Sequence, residues 1–149
     1  GVDKGFQVTR EYLHPDEDRP LTRYQVGDLV RVRITASSDE ERFYVAIEDP
    51  LPAGFEAVNT RLATSQAAPS PDDDRYRYGY QRNYLSHEEL RDDRALAFVD
   101  RFRPGDAQLE YLVRAVTPGT FSAAPARAEE MYTPEVFGRT VATVIEVER

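Results

Sequence analysis

The chain contains no cysteine among its 149 residues. That excludes disulfides, zinc–thiolate centres and thiol nucleophiles, and it leaves the redox compartment undecided. Tryptophan is also absent and methionine occurs once, as Met131, so any aromatic recognition falls to tyrosine and phenylalanine. No run of about 20 apolar residues is present to cross a bilayer as a helix, and no secretory signal pattern occurs. Positive charge is scarce: 19 Lys and Arg stand against 27 Asp and Glu, a formal net charge of −8. No basic stripe interleaves with aromatics, so the long-range field repels nucleic-acid phosphates and anionic membrane surfaces. Neither nucleic acid nor direct membrane contact is expected of this chain. Helical periodicity is weak throughout.

Two-residue alternation is common instead, and it points to β structure. Val30, Val32, Ile34 and Ala36 share one face of a predicted strand while Arg31, Arg33 and Thr35 share the other, with Gly27-Asp28 turning the chain before it. Phe43, Val45 and Ile47 repeat the pattern up to Pro50 and Pro52, and another strand is predicted near Phe55 to Leu62. A polar, Pro-containing stretch from Ala63 to Arg75 reads as a long loop. Tyr76, Tyr78, Tyr80 and Tyr84 then suggest an aromatic face on a strand or extended arm. Ser86 and Glu89 have the spacing of a capping box, which predicts a short helical turn. Further on, Leu96, Phe98 and Phe102 are assigned to one strand face, with Ala97 and Val99 on the other. Leu109, Tyr111, Val113 and Ala115 define an inward face, and Tyr111 after Pro104-Gly105 matches the placement of the tyrosine corner of Ig-like sandwiches. Val141, Thr143, Ile145 and Val147 mark a last strand. About seven to nine strands in a chain of this size give an all-β, Ig/fibronectin-like antiparallel β-sandwich, one domain over residues 1–149, with at most a short helix.

The segment from Ala126 to Arg139 stands out as a loop between strands, with Pro125 and Pro134 denying it a regular ladder. It places Met131 and Tyr132 side by side, where alternation cannot bury both on one face. A docking knob is one reading. Met131 filling a sandwich end, with Tyr132 capping a bulged edge, is the other. Glu129, Glu130, Glu135 and Arg139 bracket the pair as a polar rim, and Gly138 is read as a tight turn into the last strand. Other chemistry-bearing residues carry less. Asp72-Asp73-Asp74 lacks the spacing of a calcium loop, and Asp92-Asp93 between Arg91 and Arg94 reads as a charged turn. Ser86-His87-Glu88 holds triad residue types, but triads assemble from separated positions. His14 sits in a Pro/Asp-rich turn. No catalytic residue, metal site or cofactor is assigned.

The runs "LRDDRALAFVDRF", "YLVRAVTPGTFSAAPARAEEMY" and "PEVFGR", from about Arg91 to Arg139, resemble the C-terminal domain of bacterial α2-macroglobulins; "FQVTREYL" and "YQVGDLVRVRITA" fit the same family. The resemblance implies a non-enzymatic interaction module, one domain of a longer exported chain of the periplasm or cell envelope. Its parent would be a broad-range peptidase inhibitor that is cleaved, changes conformation and captures the protease through a thioester. Residues matching Met131 and Tyr132 are then implied to pack over that thioester, in contact with the thioester domain, and to keep it dry. A thioester joins a Cys thiol to a Gln side chain, so with no cysteine here the bond belongs to another domain. The alternative is an extracellular Ig-like adhesion or carbohydrate-binding module using the Tyr76–Tyr84 arm.

Overall fold

The computed structural model describes residues 1–58 and 81–149, apart from the side chain of Gln81. The loop assigned to residues 63–75, the Asp72–Asp74 run, Tyr76, Tyr78, Tyr80 and the end of the strand predicted to reach Leu62 lie outside the described residues. Alternation dictates the centre of the fold. β4 (Leu29–Ser38) turns Val30, Val32, Ile34 and Ala36 inward, and β10 (Gly105–Ala115) does the same with Leu109, Tyr111, Val113 and Ala115. The two pair antiparallel over ten residues, Gly105 opposite Ser38 through Arg114 opposite Leu29. β2 (Gln7–Leu13) and β6 (Phe55–Val58) flank them, and β7 (Gln81–Asn83) joins β10 in parallel. On the outer face Arg31 and Arg33 both reach Glu110 and Asp18, and their hydrogen bonds hold the Asp18 carboxyl below its ordinary range.

The second sheet runs in the order β1 (Val2–Lys4), β13 (Thr133–Arg139), β12 (Arg127–Glu130), β5 (Arg42–Pro50), β9 (Arg94–Phe102) and β8 (His87–Leu90). It contributes Val45, Ile47, Ala95, Ala97, Val99, Phe102 and Ala128 to one core shared with β4 and β10. A third, small sheet orders β11 (Gly119–Ala123), β14 (Thr143–Glu148) and β3 (Tyr24–Gln25), and adds Ile145, Val147 and Tyr24 to that core. The result is an all-β, sandwich-like arrangement of largely antiparallel sheets.

Several expectations are corrected. There are 14 strands among the described residues rather than seven to nine, because segments of two to four residues are too short to show alternation. The helical turn at Ser86 is absent. Ser86 donates its N–H to the Phe98 carbonyl and accepts the Asp100 N–H on its hydroxyl, and His87–Leu90 pair with β9; ladder pairing overrides the capping-box pattern. The β9 face is also different. Ala95, Ala97 and Val99 point inward, Phe98 lies on the other side stacked on His87, and Phe102 rejoins the core against Phe6 at 5.4 Å. On β5, Val45 and Ile47 are buried as expected but Phe43 is exposed. One irregularity explains both strands. Val45 pairs with Val99 and Arg42 with Phe102, but no pair forms between Tyr44 and Asp100. Tyr44 has φ 55°, and the inward face changes parity there. At the C-terminal end, Ile145 and Val147 are buried as the alternation predicts, whereas Val141 is exposed ahead of β14.

Tyr111 is not a tyrosine corner, whose hydroxyl bonds backbone. Its hydroxyl donates to the Asp49 carboxylate on β5, across the sandwich. Asp49 also accepts from Arg10 on β2 at 2.8 Å, with side chains 3% and 1% exposed for Arg10 and Asp49. Arg10 reaches further, donating to the Ala124 carbonyl at 2.6 Å. Burial pushes the Asp49 carboxyl above its ordinary range, while Arg10 and Tyr111 pull it back. Gly138 is likewise no turn. It lies within β13, and a Cβ there would stand 2.0 Å from the Phe6 carbonyl oxygen, so glycine is required by close backbone approach.

Replacing Gly138 by Ala should cost at least about 3 kcal/mol by forcing that backbone apart. Gly27→Ala, at φ 100° with open space around it, should cost only about 1–2 kcal/mol of backbone strain; urea titrations compare the two. Asp49→Ala strands the buried Arg10 cation and should cost about 3–5 kcal/mol, whereas Arg10→Met/Asp49→Leu/Tyr111→Phe should recover most of it. A carboxyl with a raised folded value binds its proton more tightly when native. Its contribution is therefore greatest below the unfolded value and declines as pH rises through the folded one. Asp49→Asn should remove that fall in stability from a series of titrations at rising pH.

Candidate interaction site at a hairpin tip

The stretch read from sequence as a Pro-flanked loop is a β-hairpin, with Met131 and Tyr132 at its turn. Its register explains how Pro134 is tolerated. Glu130 pairs with Thr133 but Glu129 pairs with Phe137, so residues 134–136 bulge from β13 without ladder partners. Pro134 sits where no backbone donor is needed. The hairpin is continuous with the second sheet, because Glu130 lies opposite Val45 of β5.

One residue further along, the Met131 N–H donates to the Tyr44 carbonyl at 2.9 Å. The Tyr44 and Tyr132 rings meet edge to face, with centroids 5.4 Å apart and an interplanar angle of 84°, a favoured geometry for aromatic quadrupoles. Met131 is 42% and Tyr132 78% exposed, and Phe43 and Tyr44 beside them are 50% and 51% exposed. Four large side chains thus face solvent at one corner of the sandwich. Scattered exposed hydrophobics need no explanation, but a group of them carried by two adjoining strands makes this corner the candidate interaction site.

The bracketing charges are spread along the hairpin. Glu129 and Glu130 are half-buried just before the tip, and Glu135 is exposed in the bulge. Glu129 pairs with Arg127 at 3.4 Å, and the Arg127 guanidinium lies 4.2 Å from the centre of the Phe137 ring. Arg139 is exposed at the other end of β13, opposite Val2 and Arg127. It lies three ladder steps behind the Glu130–Thr133 pair that closes the turn, about 10 Å at the usual rise per strand residue and so at the base of the hairpin rather than on the tip's immediate rim.

The sequence reading puts Phe43 on an inward face with Val45 and Ile47 and passes over Tyr44, although a signal for both is present. Like Met131-Tyr132 they are large neighbours that regular alternation cannot bury together. The triad-type residues are engaged elsewhere: Ser86 with β9, and His87 through Nε2 with Glu89 at 3.0 Å while stacked on Phe98. Burial raises the Glu88 carboxyl, and hydrogen bonds from Arg91 and His87 lower that of Glu89. Asp92 and Asp93 occupy the turn closed by the Arg91 N–H to Arg94 carbonyl bond at 2.8 Å. His14 Nδ1 accepts the Asp16 N–H at 3.1 Å. Tyr84 is exposed.

Residues 5–135 match the profile of the bacterial α2-macroglobulin MG10 domain family. The chain belongs to that family. An α2-macroglobulin homolog of a Nostoc species is 38% identical over 160 aligned residues, covering 99% of this chain and 8% of the relative. The native conformation of Escherichia coli α2-macroglobulin superposes with a TM-score of 0.81 at 28% identity, over 99% of this chain and 10% of that one. A native piece of the same E. coli protein, from domain MG7 to the C-terminus, gives 0.79 at 27% identity, over 99% of this chain and 24% of that one. This MG10-family domain therefore spans a small fraction of its relatives. These relatives are α2-macroglobulins, and the matched stretch corresponds to their MG10 domain family.

If the MG10 tip serves a contact outside the domain, truncating it should barely affect folding. Met131→Ala and Tyr132→Ala should each change unfolding free energy by less than about 1 kcal/mol, because each side chain is exposed and the ring contact Tyr132 makes is at the surface. Chemical denaturation of the domain checks this.

Proposed function

We propose that this domain is the C-terminal macroglobulin domain of a bacterial α2-macroglobulin and that its hairpin tip shields the parent's thioester before a protease triggers the trap. The observation that carries the reading is the projection of Met131 and Tyr132, side by side, from a well-packed sandwich into solvent. A thioester carbonyl is electrophilic and hydrolyses in water, so a cover must be apolar, shaped and displaceable. Methionine supplies an adaptable thioether and tyrosine a flat apolar body with one directional hydroxyl. Tyr44 widens the apolar centre through its ring contact with Tyr132, and Glu129, Glu130 and Glu135 supply charge around it, the composition of an interface core and rim. Arg139 contributes to the same contact only if the thioester domain also reaches the base of the hairpin.

The chain has no cysteine, so the thioester partner is a separate domain of the same parent. C-terminal placement is supported by the likeness to a solved piece running from MG7 to the C-terminus. The parent acts as a broad-range peptidase inhibitor in the periplasm or cell envelope, meeting target proteases through its other domains, while this domain performs no chemistry itself.

Methylamine attacks an exposed thioester, so its rate of consumption by the full-length parent measures shielding. Tyr132→Ala should raise that rate about thirtyfold, the equivalent of losing one interface anchor worth about 2 kcal/mol. An unchanged rate in a folded variant would reduce Met131 and Tyr132 to surface packing.

A further inference from the structure

We infer that Tyr44 is the positioning residue of the hairpin tip, holding Met131 by its backbone and Tyr132 by its ring so that the pair is set before any partner docks. The inference deepens the shielding reading and rests on it for its functional consequence, although its structural content stands on separate observations.

The first observation is conformational. Tyr44 is the sole non-glycine residue with positive φ among the described residues, at 55°. For a bulky aromatic residue this left-handed conformation is disfavoured and persists only where surrounding contacts over-determine it. The second is what that conformation accomplishes. It interrupts β5 between the Phe43–Arg101 and Val45–Val99 pairs, and there the Tyr44 carbonyl accepts the Met131 N–H at 2.9 Å. Met131 belongs to a turn rather than to the β12 ladder, so this bond continues the attachment of the hairpin to β5 one residue beyond Glu130. The third is the ring contact. Tyr44 meets Tyr132 edge to face at 5.4 Å, and Tyr132 is otherwise 78% exposed. An exposed side chain samples its staggered rotamers unless something selects one. The Tyr44 ring supplies that selection.

A tip already in its bound geometry avoids much of the ordering cost of docking. It also keeps a cover shut more of the time, since each momentary departure of Tyr132 opens the covered bond to water. Tyr44 thus acts on the thioester through Tyr132. A core role for its ring is disfavoured because half of the residue is solvent-exposed.

The test uses the full-length parent with Tyr44→Phe, Tyr44→Gly, Tyr132→Ala and the double variant Tyr44→Gly/Tyr132→Ala. Glycine accepts positive φ without strain, so Tyr44→Gly deletes the ring while sparing the backbone and should fold. Methylamine should be consumed roughly 2- to 10-fold faster by Tyr44→Gly, the size of one aromatic pair, and at the wild-type rate by Tyr44→Phe. The double variant should be no faster than Tyr132→Ala, because residues that act as one unit are non-additive. Deuterium uptake over residues 129–133 should rise in Tyr44→Gly and stay at the wild-type level in Tyr44→Phe. Identical uptake in wild type and Tyr44→Gly overturns the inference, as does a wild-type methylamine rate for Tyr44→Gly when Tyr132→Ala is fast. Raised uptake in Tyr44→Gly upholds the positioning role even if Tyr132→Ala leaves methylamine consumption unchanged, a result that would refute the shielding reading alone.

Discussion

A single buried carboxylate organises the sandwich. Asp49 on β5 is reached by Arg10 from β2 and by Tyr111 from β10, so one side chain ties the middle of one sheet to two strands of the other. Desolvating an aspartate is costly unless its oxygens are satisfied, and here each oxygen has a donor. Arg10 then passes the constraint onward to the Ala124 carbonyl, in the connection leading to β12. Apolar contacts in the core are tolerant of small slips, whereas these bonds exist at one register only. The strands that carry the tip, β5 and β12, are therefore fixed relative to the rest of the domain by a polar device whose side chains are buried between the sheets.

The tip itself is built from departures from that regularity. On β5 the left-handed Tyr44 reverses which side faces the core, bringing Phe43 outward. On β13 the bulge at residues 134–136 takes Pro134 out of the ladder and lets the hairpin close tightly around Met131 and Tyr132. Both irregularities fall beside the exposed pair. Strained backbone and bulges tend to gather where a side chain must be aimed rather than buried, and their coincidence with the apolar corner gives that corner its functional interest.

Much of this was legible in the sequence where one rule acts alone. β4 and β10 alternate cleanly because one face packs and the other is wet, and Val30 to Ala36 and Leu109 to Ala115 were assigned correctly on that basis. Met131-Tyr132 was conspicuous for the opposite reason, since alternation fails there. What escaped depended on contacts between distant residues. The Asp49 partners lie 39 and 62 positions away, Gly138 is dictated by the Phe6 backbone, and the parity change on β5 and β9 follows from one φ angle. Ser86 shows the converse, a local capping pattern overruled by its neighbour across the sheet. Charge was the least informative feature: Arg139 and Glu135 are close in sequence to the tip, yet the hairpin carries Arg139 to its far end.

The close approach at Gly138 also has a mechanical side. β13 is clamped at its base, where Gly138 meets the Phe6 carbonyl and Arg139 pairs with Val2, while the bulge interrupts the ladder partway to the tip. The other strand of the hairpin is laddered to β5 as far as Glu130, and Met131 is bonded to Tyr44 beyond it, so only the outer strand of the hairpin has an unsupported stretch. A load applied at Met131 and Tyr132 therefore passes into β5 through β12, and the unpaired residues 134–136 carry little of it.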